Sequence, residues 1–480
     1  MAPEGHALRR SVLEAFLWLG TGTTIIQTVS WVSTIVVIRL LSPADYGLMA
    51  MTSVCTVLLS TVGELGISSA LIQARELNTR QIRQVFAWVL ITGVTGVTIA
   101  YASAPAVAGF YDQPALIPLV RVMAFSVLLV MLYVVPQSLF VRDMNFKAKA
   151  QIDIVAQLTS VAVTLICAVN GMGVWSLVSG LMTLHLIKAA GYNVARGWTL
   201  PLFDLRGSLG LLKYGITVTG DRSLNFFYQE SDKIVVGRFL GDSALGTYSV
   251  ALTLGLIPME KVLPIITQVS FASYARMQND RERVRRNLLR STRAVSLVSF
   301  PLFFGMSAVA PLAIPLLLGE RWRAIVIPFQ LICLILPLRS LGPILASALH
   351  GLGRPGVSLV NMIILSTSMM AALLAGVQYG LLGVCIVWLA VYPAILLVTT
   401  RRTLREIGIP LGRYLSEIRF PFFASALMLL TIQLLQKMIV TGKPVYSLLM
   451  AVIFGVAFYS SLVLTLKRQE YAEFRSLLRR

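Results

Sequence analysis

Arg222, Asn225, Gln229 and Asp232 follow one another at steps of three, four and three inside the segment KYGITVTGDRSLNFFYQESDKIVVGRF, which places all four on one face of a helix. A guanidinium, two amides and a carboxylate on one face can hydrogen-bond anions and hydroxyl groups. Lys233 lies off that face and Thr219 at its margin. An ionisable side chain at bilayer depth costs several kcal/mol when it meets lipid, so the face must turn toward a wet cavity or a partner. A milder counterpart, Thr23, Gln27, Ser30 and Thr34 with Trp31 beside them, marks the first apolar window of the chain. Two leading helices with polar stripes imply a hydrated cavity between them.

Further charges at membrane depth are Glu64, Arg121, Lys213, Glu260, Lys261 and Arg339. Each has a structural reading beside a functional one. Glu260 and Lys261 can pair with neighbours, Arg339 can bind a carbonyl released by Pro337, and Lys213 can snorkel to the inner surface. Asp232 beside Lys233 reads as a pair near the outer mouth. An ion-coupled antiporter needs an acidic site, and Glu64, Asp221, Glu230 and Asp232 are the acids on offer. Among the cations Arg222 ranks first, because it sits near mid-helix within a polar stripe.

The elements that must position these residues are membrane helices. Of 480 residues 56% are hydrophobic and 13% charged, and the mean hydropathy is +0.79, so the fold class is an all-α polytopic membrane protein. The net charge of +20 is therefore read as orientation bias and attraction to anionic membrane lipids, not as a nucleic-acid footprint. Cys55, Cys167, Cys333 and Cys385 lie in apolar runs without CxxC spacing and read as small core residues. The start, with Arg9 and Arg10 before an apolar run, reads as a retained amphipathic lead-in and not a cleaved signal peptide.

Apolar windows of spanning length fall at 17–40, 46–67, 84–107, 116–137, 152–170, 172–190, 209–236, 244–267, 292–317, 324–349, 357–378, 380–400, 420–437 and 443–466, about 14 crossings. Lysine and arginine crowd the segments that share a side with Arg9, Arg10 and the Arg479-Arg480 tail, which predicts both termini in the cytoplasm. The chain also contains an internal repeat. IVVIRLLSPADYG, Ile35 to Gly47, returns without a gap as IVVGRFLGDSALG, Ile234 to Gly246, with Arg39 matching Arg238, Leu41 matching Leu240 and Gly47 matching Gly246. Ala104-Pro105 and Ala310-Pro311 give a fainter echo. The repeat predicts two pseudo-symmetric six-helix lobes related by an axis along the membrane normal, with two C-terminal helices outside them. The expected organisation is an amphipathic lead-in over 1–16, a first lobe over 17–206, a second over 207–400, and a basic linker, two helices and a cytoplasmic tail over 401–480.

Catalytic and metal-site signatures are missing from the sequence. It holds no GxxxxGK[ST] loop and no HExxH, its histidines His6, His185 and His350 are scattered, and His185 reads as a packed helix residue. GLGRPG, Gly351 to Gly356, follows a membrane helix and is closed by Pro355, so it reads as a turn. The expectation is a protein that is not an enzyme and takes no cofactor or metal.

GELGISSALIQ (Gly63 to Gln73), DKIVVGRFLG (Asp232 to Gly241) with LGTYSVA after it, PMEKVLPIITQVSFASYARMQ (Pro258 to Gln278), GERW (Gly319 to Trp322) and FQLICLILPLRSLG (Phe329 to Gly342) carry a resemblance. Over essentially the whole chain the sequence resembles the polysaccharide transporter family. This is the Wzx-type lipid-linked oligosaccharide flippase group of the multidrug/oligosaccharidyl-lipid/polysaccharide exporter superfamily, and the match looks nearest to the colanic-acid exporter branch. The resemblance implies translocation of an undecaprenyl-pyrophosphate-linked oligosaccharide across the bacterial inner membrane by alternating access through a cationic cavity. It also implies a polysaccharide polymerase and a chain-length regulator as partners, with no nucleic acid. On that reading Arg222, with Arg121, Arg339 and Lys261, would hold the pyrophosphate, while Asn225, Gln229 and Gln27 contact sugar hydroxyls. Rocking would hinge at Pro258, Pro264, Pro337 and Pro343. The motifs specify the family and not a sugar. The rival readings are a drug/cation antiporter of the same superfamily and a membrane polysaccharide polymerase or ligase.

Overall fold

The computed structural model describes residues 29–74, 77–204, 209–277, 280–438 and 444–466, and within them every side chain except those of residues 73, 209–218, 221, 260–273 and 275–276. All regular secondary structure among the described residues is helical. Eleven helices there are long and apolar enough to cross a membrane, against the 14 windows of the sequence. The windows at 209–236 and 244–267 share one of these spans and those at 357–378 and 380–400 share another, while the first window is represented by the shorter helix Val29–Leu40. The chain is a multi-pass membrane protein.

Contacts divide the chain into two units, one ending at Gly246 and the other beginning at Thr247. The first contains α1 (Val29–Leu40), α2 (Pro43–Gly63), α3 (Ile67–Gln73), α4 (Thr79–Tyr111), α5 (Leu116–Arg142), α6 (Phe146–Val169), α7 (Val174–Arg196) and the beginning of α8 (Leu209–Arg276), whose helix is broken at Gly241 with φ at 81°. Ser42 and Asp45 form a capping box at the start of α2, with Pro43 in its first turn, and Asn78 and Gln81 do the same for α4. The window at 46–67 is not one continuous helix. Leu65 and Gly66 both take positive φ, 50° and 59°, and separate α2 from α3. The carbonyls left at such a break need donors: Thr92 donates to Gly63 at 2.7 Å, and Arg142 Nη1 donates to Leu71 and Ala74 at the far end of α3, each at 2.6 Å.

The second unit holds the rest of α8 and then α9 (Arg281–Leu318), α10 (Val326–Arg339), α11 (Gly342–Gly351), α12 (Pro355–Gly376), α13 (Gly380–Ile386), α14 (Tyr392–Ile407), α15 (Leu411–Met438) and α16 (Pro444–Leu466). Its core is built on α9, which packs against α10, α15 and α16. The stretch 401–414, expected as a linker, is mostly helical: α14 runs to Ile407, Gly408 supplies a left-handed turn, and α15 begins at Leu411. Thr403, Leu404 and Ile407 are buried, and Arg285 Nε donates to the Ile407 carbonyl at 2.9 Å, so this segment is packed against the bundle. Arg354 pairs with Glu406, and Arg293 with Glu417 at 2.5 Å.

Three of the prolines inside these helices, Pro136, Pro301 and Pro311, follow one rule. A proline lacks the N–H that would bond the carbonyl four residues earlier, and in lipid that carbonyl must find another donor. Pro136 releases the carbonyl of Leu132, which accepts from Asn193 Nδ2 at 2.9 Å; Pro301 releases that of Leu297, which accepts from the Tyr459 hydroxyl at 3.1 Å. Pro311 releases Ser307, whose carbonyl accepts from Gln330 Nε2 at 3.0 Å. Neighbouring helices thus seal one another's kinks. Replacing Tyr459 with Phe is expected to lower stability by about 1 kcal/mol, and the cost should vanish in a Pro301→Ala background where the helix supplies its own N–H. Thermal unfolding of the single and double variants in detergent measures both, and equal costs in the two backgrounds would contradict the pairing.

Candidate functional site

In the first unit the helical face foreseen around Arg222 lies on a continuous stretch of α8, and its arginine meets the broken second span. Glu64 is the C-cap of α2, just before the left-handed pair Leu65-Gly66. Arg222 Nη1 stands 3.1 Å from Glu64 Oε2, and Arg222 Nη2 donates to Ser69 Oγ, in the first turn of α3, at 3.2 Å. The Glu64 side chain is 19% exposed and that of Arg222 38%, so the pair is screened without being sealed. Both lie roughly 30 Å along their helices from the turns at Pro43 and Gly241. Asn225 and Gln229 follow on the same face of α8, have no hydrogen-bond partner among the described residues, and are half-buried and exposed respectively. A guanidinium with two amides above it can bind an anionic group that carries hydroxyls beyond it.

Glu64 was foreseen as an ion-coupling acid and Arg222 as a substrate cation, and the fold makes them partners. The foreseen pairing of Asp232 with Lys233 is different in detail. The Lys233 ammonium takes Glu230, at 2.9 Å, while Asp232 is buried and accepts from the Lys233 backbone N–H at 2.8 Å. An i,i+3 spacing lets a lysine reach back one helical turn, which the adjacent carboxylate does not allow. Arg121 stands elsewhere. It lies in the second turn of α5 with its guanidinium 4.8 Å from the centre of the Tyr101 ring, toward the end of the bundle where Phe110 meets Arg238. In the second unit Arg339, at the end of α10, lies 4.4 Å over the ring of Trp388, which belongs to a π-helical turn at Val387–Val391. Gln27 and the side chains of Asp221 and Lys261 lie outside the described residues.

A further polar cluster in the first unit was not foreseen. Asp153 of α6 receives Lys149 at 2.6 Å, Lys188 at 3.4 Å and the Tyr192 hydroxyl at 3.0 Å, and Gln137 reaches Tyr192 at 3.5 Å. Beside it His185 Nδ1 and the Tyr133 hydroxyl are 3.2 Å apart, and the Lys188 ammonium stands 6.0 Å from the centre of the Tyr133 ring. Lys149 and Asp153 are spaced as a helical ion pair, the one signal in the sequence that marks the place. His185, read as a packed helix residue, stacks on the Tyr133 ring and makes this polar contact as well. Among the described residues no three His, Cys, Asp or Glu side chains are grouped to hold a metal ion.

A family model described as polysaccharide biosynthesis protein matches residues 36–327, more than half of the chain. The chain belongs to this family. As a polysaccharide biosynthesis protein it is 24% identical over 429 residues to the lipopolysaccharide biosynthesis protein WzxC of Escherichia coli (strain K12), covering 87% of this chain and 86% of that one. It is 27% identical over 446 residues to the succinoglycan biosynthesis transport protein ExoT of Rhizobium meliloti (strain 1021), covering 92% and 89%. Its fold is similar to that of the lipid II flippase MurJ in an inward closed conformation, with a TM-score of 0.75 at 14% identity over 95% of this chain and 99% of that one. This polysaccharide biosynthesis family member therefore shares the fold of that protein, and within it Glu64 pairs with Arg222.

Among the described residues Asp153 is the one acid paired with Lys149 and Lys188, and its side chain is 14% exposed. Asp153→Asn should leave two ammonium groups without a counter-charge and lower stability by about 3 kcal/mol. Lys188→Met, which leaves a balanced pair, should cost clearly less. Unfolding curves of the two variants in detergent check the order, and a reversed order would mean that the lysines are not held by this carboxylate.

Proposed function

We propose that this chain flips an undecaprenyl-pyrophosphate-linked oligosaccharide from the inner to the outer leaflet of a bacterial cytoplasmic membrane, for surface polysaccharide export. Membership of the polysaccharide biosynthesis family and the transporter fold support the class. The observation that carries the reading to residues is Arg222, held at 3.1 Å by Glu64 beside a helix break, with two amides next to it on the same face that have no partner among the described residues. A pyrophosphate is a stronger partner for a guanidinium than one carboxylate, because it offers more charge and two or more oxygens for the planar fork. Glu64 then acts as a resident counter-ion, keeping Arg222 neutralised while the site is empty and giving it up when the headgroup arrives. Asn225 and Gln229 would take hydroxyls of the first sugars, and the polyprenyl tail would stay in lipid. Rocking of two pseudo-symmetric lobes would turn the site outward, with both termini in the cytoplasm. A polymerase and a chain-length regulator would act on the product.

The drug/cation antiporter reading needs an acid that cycles with an ion. Two of its four candidate acids, Glu64 and Glu230, are matched to a cation, Arg222 and Lys233, so that reading would have to turn on Asp221 or Asp232.

Arg222→Ala should abolish polymer export with membrane abundance unchanged, and Arg222→Lys should retain part of it, since a point charge replaces the fork. A strain lacking the protein should accumulate lipid-linked repeat units on the inner leaflet. Normal polymer output from the Arg222→Ala variant would remove this arginine from the site, and repeat units reaching the outer leaflet without the protein would remove the function.

A further inference from the structure

The repeated hairpin returns in the structure as a contact. The register that carries Arg39 onto Arg238 also carries Pro43 onto Asp242 and Gly47 onto Gly246. In the first unit Gly47 packs against the carbonyl of Asp242, so tightly that a methyl group at Gly47 would lie 2.8 Å from the Asp242 Cα and closer still to its carbonyl group. Reciprocally, Gly246 packs against the carbonyl of Pro43, and a methyl group there would lie 2.9 Å from the Gly47 backbone nitrogen and overlap that carbonyl. Each residue meets the counterpart of the residue that meets it, the pattern of a two-fold contact. Neither glycine takes a positive φ, so its lack of a side chain answers to packing alone. The atoms that block a side chain are backbone, which cannot swing aside as a rotamer does.

We infer that Gly47 and Gly246 are the two halves of a latch through which the duplicated turns close against each other, and that transport requires the latch to part and re-form. The inference rests on the transport reading above and on the placement of these turns at the outer face. Two neighbours fit the same movement: Arg238 lies 5.7 Å from the centre of the Phe110 ring, and a methyl group at Gly237 would come 2.9 Å from Tyr111 Cε1. Parting the turns would release both contacts. A contact that closes backbone to backbone tolerates no side chain between the turns.

Two arms test it, each in a chain whose four native cysteines are replaced. In the first, Ala44→Cys and Ser243→Cys are joined by a short reducible bifunctional thiol reagent, with both glycines intact. Bridging should stop export and reduction should restore it; export undiminished by a complete bridge would show that the turns never part. In the second, Gly47→Ala and Gly246→Ala are compared with Gly109→Ala, a glycine at the same end with nothing within 4 Å of a Cβ. Labelling of Asn225→Cys by a membrane-impermeant maleimide from outside should rise about tenfold in the first two and stay unchanged in the third. Equal labelling in all three, in protein of equal membrane abundance, would overturn the latch. If the parent chain exports no oligosaccharide, the flippase reading fails while the labelling arm still decides on the latch.

Discussion

An unpaired polar group is costly in hydrocarbon, and this cost shapes the molecule from single carbonyls to the proposed site. Where Pro136, Pro301 and Pro311 release a backbone carbonyl, Asn193, Tyr459 and Gln330 arrive from another helix to bond it. Where α3 ends, Arg142 closes its carbonyls. Where a guanidinium is placed on a membrane helix, Glu64 is set opposite it. The first two devices are static, because the groups they satisfy have no other partner to take. The third differs, since a carboxylate can be exchanged for another anion.

That exchange is why the break between α2 and α3 matters. A continuous helix would satisfy its own backbone through the membrane and would not gather a carboxylate, a turn of positive φ and the Ser69 hydroxyl in one place. The interruption at Glu64-Leu65-Gly66 does so, and α8 brings Arg222 to it. The cluster of Gln137, Lys149, Asp153, Lys188 and Tyr192 ties α5, α6 and α7 together, and α2 and α3 pack on α5. A site that swaps partners needs such a support, because the swap is reversible only if the surroundings do not collapse around the vacated charge.

What was legible in the sequence follows from range. Periodicities are local, so the steps of three, four and three exposed the polar face of α8, and hydropathy exposed the spanning windows. The gap-free repeat of IVV, Arg, Leu and Gly was equally plain. Pairings across more than a hundred residues leave no local trace: nothing near Arg222 names Glu64, and nothing near Pro301 names Tyr459. The α2–α3 break is hidden for a different reason: GELG lies in an apolar window whose length alone satisfies a crossing, and only Gly63 and Gly66 around Glu64-Leu65 hint at it. The basic stretch at 401–414 reads as a linker because its arginines dominate the composition. The buried Thr403, Leu404 and Ile407 between them are what pack it.

Arg222, matched to Glu64 when the site is empty, is proposed to accept a pyrophosphate in its place. Binding of a polyprenyl pyrophosphate to the purified protein in lipid nanodiscs tests this most directly, with Arg222→Ala and Glu64→Gln compared with the parent chain. The account predicts that Arg222→Ala weakens binding about tenfold or more, while Glu64→Gln binds at least as tightly as the parent because the competing carboxylate is gone. Unchanged binding by Arg222→Ala, or a loss in Glu64→Gln equal to that in Arg222→Ala, would contradict it.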